Sequence, residues 1–243
     1  MKEMTLIEHL EEFRKTAIHI LIIVIVAFVA TYAFSDQVAE IILLPLRNAL
    51  KSNEGQIVYL GLLDKISAQL QLGLWCGIIF SSPIWFYQIW RFVSPGLHDY
   101  EIKMIKPFFL FGLFLFWGGV GFAYFVVFPF AFKLMLEYGV TDVVATISLR
   151  DYLSMAVKIL VFFGLAFQMP NIIVILGFMG VVTKEKLSNY RRYIYVILAI
   201  LAAVFSPPDV FSMMIVWLPM VVLFEIGVLG ISLIVRPYLA KKV

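Results

Sequence analysis

The chain has 243 residues, 63% of them apolar and 14% charged, with a mean hydropathy of +0.98 and a formal net charge of +3. Soluble domains are roughly half apolar and a quarter charged, so this composition excludes a water-soluble globular protein. The basic residues are dispersed among connections, which excludes nucleic acid as a partner, and the lone Cys76 excludes an internal disulfide or a thiolate metal cluster.

A hydrocarbon layer about 30 Å thick takes roughly 20 apolar helical residues, because a helix satisfies its own backbone in lipid. Six segments qualify, near 16–35, 68–93, 106–134, 152–180, 190–206 and 211–235. They predict an all-α, polytopic integral membrane protein with six transmembrane helices in one domain over 1–243. Strict two-residue alternation, the mark of a membrane barrel, is absent. The first segment starts late, behind acidic residues and without a small-residue cleavage site, and reads as a retained helix. Cys76 reads as packing inside the second. The last two segments read as short; the fifth reaches only about 25 Å at 1.5 Å per residue, which would thin the bilayer beside it.

Between the first two segments lies the amphipathic stretch VAEIILLPLRNAL, then a polar turn and an apolar run ending in Asp64 and Lys65. These predict short helices at the membrane surface, kinked at Pro45. With the loop from Glu137 to Asp151 they would cap one side of the bundle. Counting Lys and Arg on alternate sides gives thirteen with the two termini and five on the capped side, so both termini are expected to be cytoplasmic.

The uncapped side carries the candidate chemistry. Glu8 and Glu12 lie one helical turn apart, in a helix that Thr5 would cap with Glu8 closing the capping box. The connection FVSPGLHDYEIKMIKP brings Glu101 to the same face, after Ser94, Pro95 and Gly96 end the second segment. Taken singly, each carboxylate is also an ordinary helix-start anion. Together they suit a peptide bearing guanidinium groups before an apolar stretch, because a carboxylate accepts the Arg fork bidentately and Lys cannot copy that geometry.

The run His9-Leu10-Glu11-Glu12-Phe13-Arg14 resembles the HLxELR signature that opens the TatC family, the polytopic subunit of the twin-arginine protein translocase. Further similar stretches follow in order: SSPIWFYQIWRFVSPGLHDYE at 81–101, FGLAFQMP at 163–170, SPPDVFS at 206–212 and LPMVVLFEIGV at 218–228. The resemblance covers nearly the whole chain. It implies that Glu12 and Glu101 bind a twin-arginine signal peptide, with Glu11, Arg14, Phe92 and Pro95 in the same motifs. Phe92 is otherwise a packing or interfacial side chain. Pro45 also falls on a position implicated in family function, and is otherwise a kink.

The family implies further that TatA-type and, where present, TatB-type single-span proteins assemble on this scaffold, with further TatC copies as candidate neighbours. It implies a prokaryotic cytoplasmic (inner) membrane location, transport of folded cargo driven by the proton-motive force, and neither enzymatic activity nor a cofactor. Two positions depart from it. Gln168 stands where many relatives have a glutamate facing a concave cavity, and Met213 replaces a common glutamine where partners are thought to dock; both stay candidate partner or cavity residues.

Ser206 and Asp209 bound the turn before the last segment, Asp209 as its N-cap. Glu225 is expected near the inner interface beside Arg191 and Arg192, in a structural role. A secondary transporter for a small solute, with Lys158, Gln168 and Glu225 lining a path, is the alternative; it needs paired ionisable groups at depth. An intramembrane enzyme lacks HExxH and GxSxG motifs.

Overall fold

The computed structural model describes residues 6–50, 55–94, 99–137, 146–206, 209–235 and 237; for residues 6, 99–101, 103, 104 and 133–137 only the backbone is described. Among the described residues there are ten α-helices: α1 Leu6–Ala33, α2 Ser35–Leu50, α3 Asp64–Phe80, α4 Ser82–Val93, α5 Asp99–Phe122, α6 Phe128–Glu137, α7 Leu149–Ala166, α8 Gln168–Phe178, α9 Lys184–Phe205 and α10 Val210–Gly230. A π-helical turn at 123–127 joins α5 to α6, and another follows α10 at 231–235. Two strands, β1 Gln56–Val58 and β2 Thr146–Ser148, pair in parallel.

Among the described residues four stretches are long and apolar enough to cross a membrane: Ile7–Ala33, Ile105–Phe132, Leu149–Phe178 and Val210–Val235. A fifth is the pair α3 and α4, bent by 54°. The bend goes with Pro83 in the first turn of α4, which has no N–H to bond back to the Ile79 carbonyl and so does not continue α3. Here Ser81 takes the break, and the indole of Trp85 donates to the Ile78 carbonyl that it exposes, at 2.9 Å. Pro170 accounts for the break at Phe167 between α7 and α8 in the same way.

Helix α9 is longer than the fifth apolar segment: it begins at Lys184, capped by the Thr183 hydroxyl on the Lys186 N–H, and its 22 residues reach about 33 Å. Its first turns carry Lys184, Glu185, Lys186, Arg191 and Arg192, so the apolar part stays short and α9 falls outside the stretches that pass on hydropathy. Two expectations need correction. The last segment, Val210–Val235, is full length. Finally, the fold is not wholly α, because the run after the polar turn forms β1 where a surface helix was expected.

The core is made by close helix approach. A Cβ on Gly77 would sit 2.9 Å from the Phe28 backbone nitrogen, so glycine lets α3 lie directly on α1. Thr31 adds a hydroxyl donated to the Gly73 carbonyl at 2.6 Å, and Cys76 is buried between them in sequence, as expected. The other face of α1 leaves Leu21, Ile25 and Val29 exposed, the surface of a helix that meets lipid.

At the end where α1 finishes and α3 and α7 begin, α2 packs inward through Ile42, Leu43, Leu46 and Leu50. Pro45 lacks the N–H that the Ile41 carbonyl would accept, and Tyr124 donates its hydroxyl there at 2.7 Å. The buried Tyr152 hydroxyl donates to the next carbonyl, Ile42, also at 2.7 Å. Asp64 ties the same end together: its carboxylate accepts the N–H groups of Leu60 and Gly61 and meets Arg150 at 3.3 Å. The two connections thus meet over one end of the bundle, joined by the β1–β2 pair.

Replacing Tyr152 with Phe strands the buried Ile42 carbonyl on its second lone pair and is expected to destabilise the fold by about 1–3 kcal/mol. Tyr124→Phe, at a more exposed site, is expected to cost less. Denaturant unfolding of the two variants in detergent micelles checks the order.

Candidate functional site

The opposite end holds the starts of α1 and α5, the ends of α4 and α8, and the start of α9. Helix α1 takes in the whole HLEEFRK run, beginning ten residues before the apolar segment does, because nothing in that run breaks a helix. The Thr5 cap lies outside the described residues, as does Pro95. Glu12 is half-buried, while Glu11 and Arg14 are exposed.

One side chain joins this helix start to the end of α4. Phe92 stacks on His9, with ring centroids 4.8 Å apart and planes at 21°, and receives the edge of Phe13 at 5.7 Å. His9 and Phe13 are four residues apart, so they sit on one face of α1 and close over a single ring. Helix α5 then starts beside the end of α4, Trp90 lying 4.6 Å from Phe109. Glu101 therefore occupies the first turn of α5, at the same end as Glu12; its side chain lies outside what the structure describes.

A second polar assembly fastens α9 to α10. Arg191 and Glu225 approach to 2.9 Å, and Tyr195 donates its hydroxyl to the other Glu225 oxygen at 2.6 Å. The Trp217 indole donates to the Tyr195 carbonyl at 3.0 Å. Glu225 pairs with Arg191 and not with Arg192, whose guanidinium turns to the Tyr193 hydroxyl at 2.7 Å and lies 4.7 Å from that ring's centroid. Both members of the ion pair keep about a third of their side-chain surface exposed, so the Coulombic part is modest and the hydroxyl bond counts as much.

A third lies at depth. Gln168 opens α8 and donates to the Gly112 carbonyl of α5 at 2.9 Å, while Asn171 donates to Phe108 at 3.0 Å. Glycine at 112 leaves room for both amides, since a Cβ there would fall 2.8 Å from the Asn171 amide nitrogen and 2.9 Å from the Gln168 amide oxygen and push them aside. Lys158 is exposed, Gln168 bonds α5 and Glu225 bonds α9, so the three residues of a solute path do not converge. Among the described residues no cluster of His, Cys, Asp and Glu suits a metal ion.

The remaining candidates serve the far end. Asp209 caps α10 by accepting the Ser212 N–H at 2.7 Å, and Ser206 ends α9 with its hydroxyl buried. Met213 packs half-buried against the core. Sequence reasoning missed Asn171 and Tyr195. Asn171 was visible as the second amide, three residues after Gln168, in an apolar run; Tyr195 carried no such signal, because its partner is thirty residues away on another helix.

Residues 8–219 match the family described as Sec-independent protein translocase protein (TatC). The chain belongs to the TatC family. It is 35% identical over 224 residues to the TatC of Desulforapulum autotrophicum, covering 92% of this chain and 82% of the relative. With TatC of Aquifex aeolicus it shares 35% identity, covering 93% of each. A crystal structure of the twin-arginine translocase receptor TatC superposes with a TM-score of 0.86 at 32% identity, covering 93% of this chain and 99% of that one. As a TatC protein the chain is a membrane-embedded translocase component and not an enzyme.

Glu225→Ala removes both the ion pair and the Tyr195 bond and is expected to destabilise the α9–α10 pair by about 1–3 kcal/mol. Glu225→Gln, which keeps an oxygen for Tyr195, is expected to cost less. Equilibrium unfolding of both variants in one detergent distinguishes the two contributions.

Proposed function

We propose that this TatC chain is the receptor and scaffold of a twin-arginine translocase, reading signal peptides at the end where α1 and α5 begin. Glu12 and Glu101 accept the guanidinium groups of the paired arginines, and the peptide's apolar segment then follows the helices into the bilayer. The observation that carries this reading is the Phe92 clasp. By stacking on His9 and Phe13 it holds the start of α1 against the end of α4, and so sets the half-buried Glu12 at the end where α5 brings in Glu101. Glu11, Arg14 and Pro95 belong to the same lip by sequence.

In this reading the chain crosses a prokaryotic inner membrane six times, α9 making the crossing that hydropathy alone does not count, with both termini cytoplasmic. The excess of Lys and Arg at that end supports the orientation. TatA-type and, where present, TatB-type single-span proteins and further TatC copies assemble around it, and the proton-motive force drives passage of folded cargo. The region of Pro45, Gln168, Ser206, Asp209, Met213 and Glu225 serves these contacts or the helix arrangement behind them.

Each charged hydrogen bond contributes about 1.5–3 kcal/mol, so Glu12→Gln is expected to weaken signal-peptide binding by about 10- to 100-fold. With a photo-crosslinker at the exposed position 15, one helical turn from an intact Glu12, an Arg-Arg peptide is expected to label the chain and its Lys-Lys counterpart to label it far less. Equal labelling by the two peptides would contradict the proposed recognition.

A further inference from the structure

Between α4 and α5, at the basic end, the structure leaves an open groove of about 580 Å³, within the roughly 300–1,000 Å³ of ligand-binding clefts. Arg91, Ser94 and Lys106 line it toward the end where α4 finishes and α5 begins, and Phe86, Phe109 and Leu113 line it farther along the helices. Its α4 wall runs from Pro83 to Ser94, about 16 Å at 1.5 Å per residue, which is about half the hydrocarbon thickness, or one leaflet. Trp90, packed on Phe109, sits toward the charged end, at the level where indoles settle at membrane interfaces. Arg91 and Lys106 are both exposed, and neither makes an ion pair among the described residues.

We infer that this groove is a binding site for an anionic phospholipid of the adjoining leaflet, its phosphate held by Arg91 and Lys106 and one acyl chain laid along α4. Three alternatives fit the groove less well. A cationic signal peptide has the wrong charge for the charged end, so the site is separate from the one proposed at Glu12 and Glu101. A zwitterionic lipid would fill the apolar part, but its own ammonium competes with Arg91 and Lys106 for its phosphate and leaves a net positive charge at that end. A small soluble phosphate compound would match the cations and leave the one-leaflet apolar trough empty. Only an anionic amphiphile uses both halves. Ser94 adds a hydroxyl that can donate to the phosphate, its described bond to the Arg91 carbonyl being a long 3.4 Å.

Each cation near an anionic lipid surface contributes about fivefold in affinity, so two give on the order of 30-fold preference over a neutral lipid. The test uses the full chain in phosphatidylcholine vesicles doped with brominated phosphatidylglycerol or, at equal bromine, brominated phosphatidylcholine. The readout is the share of tryptophan fluorescence lost in Trp90→Phe, which isolates the indole at the charged end. Expected is quenching of that share at about 10- to 30-fold lower mole fraction of the glycerol lipid, abolished in Arg91→Gln/Lys106→Gln and kept in Arg91→Lys/Lys106→Arg. Equal quenching by the two lipids in the unaltered chain would overturn the inference without recourse to any charge variant. So would a preference that survives both neutral substitutions, quenching by neither lipid as a protein-covered groove would give, or reversal by millimolar glycerol phosphate, which would assign the site to a soluble phosphate compound.

Discussion

In lipid a backbone carbonyl that loses its helical partner has no water to turn to, so a proline or a break in a helix calls for a donor from elsewhere. At two places here the donor is a specific side chain: Tyr124 serves the Ile41 carbonyl freed by Pro45, with Tyr152 on the next carbonyl, and Trp85 serves the break at Ser81. Other bonds tie helix to helix: Trp217 reaches the Tyr195 carbonyl across α9 and α10, and Gln168 and Asn171 bond from α8 onto α5, at a point where Gly112 lets the amides come close. These bonds fix which helices are neighbours and at what rotation, which non-directional contact between apolar faces does not decide.

That scaffold delivers the two ends of the molecule in different states. One end is closed by α2, the β1–β2 pair and the Asp64 bridge to Arg150. The other is left with helix starts and finishes that carry most of the charge. Aromatic contacts join α1 to α4 and α4 to α5 there, Phe92 between His9 and Phe13 and Trp90 on Phe109, while the Arg191–Glu225 pair joins α9 to α10. In the proposed reading Glu12 meets a cationic peptide at this end, and the exposed Arg91 and Lys106 meet an anionic lipid.

Much of this was legible in the sequence, for physical reasons that also explain the rest. Length and hydropathy suffice to locate apolar helices, and Asp209 before a helical run is a cap whose chemistry is local. Glu225 was placed beside Arg191 by counting residues along two helices that share a starting depth, and the pair is there. What hydropathy does not carry is the polar beginning of a helix, so α1 and α9 both start earlier than their apolar segments. Nor does it carry contacts between distant segments: the parallel pairing of Gln56–Val58 with Thr146–Ser148 depends on where α2 and α6 leave their ends. The carboxylate of Glu12 could be read from its motif, whereas the clasp that orients it required knowing that the ring of Phe92 falls between two residues one turn apart on another helix.

The account rests on α1 and α5 presenting their acidic residues at one lip. The most direct measurement is the distance between spin labels at positions 12 and 101 in the full chain in lipid nanodiscs, the native Cys76 being buried. Two adjacent residues span at most about 7 Å of backbone, so with extended arginine side chains a single pair reaches across about 20 Å. One narrow distance distribution within that reach is predicted. A distribution centred well beyond it, at the separation of opposite membrane faces, would contradict the shared lip.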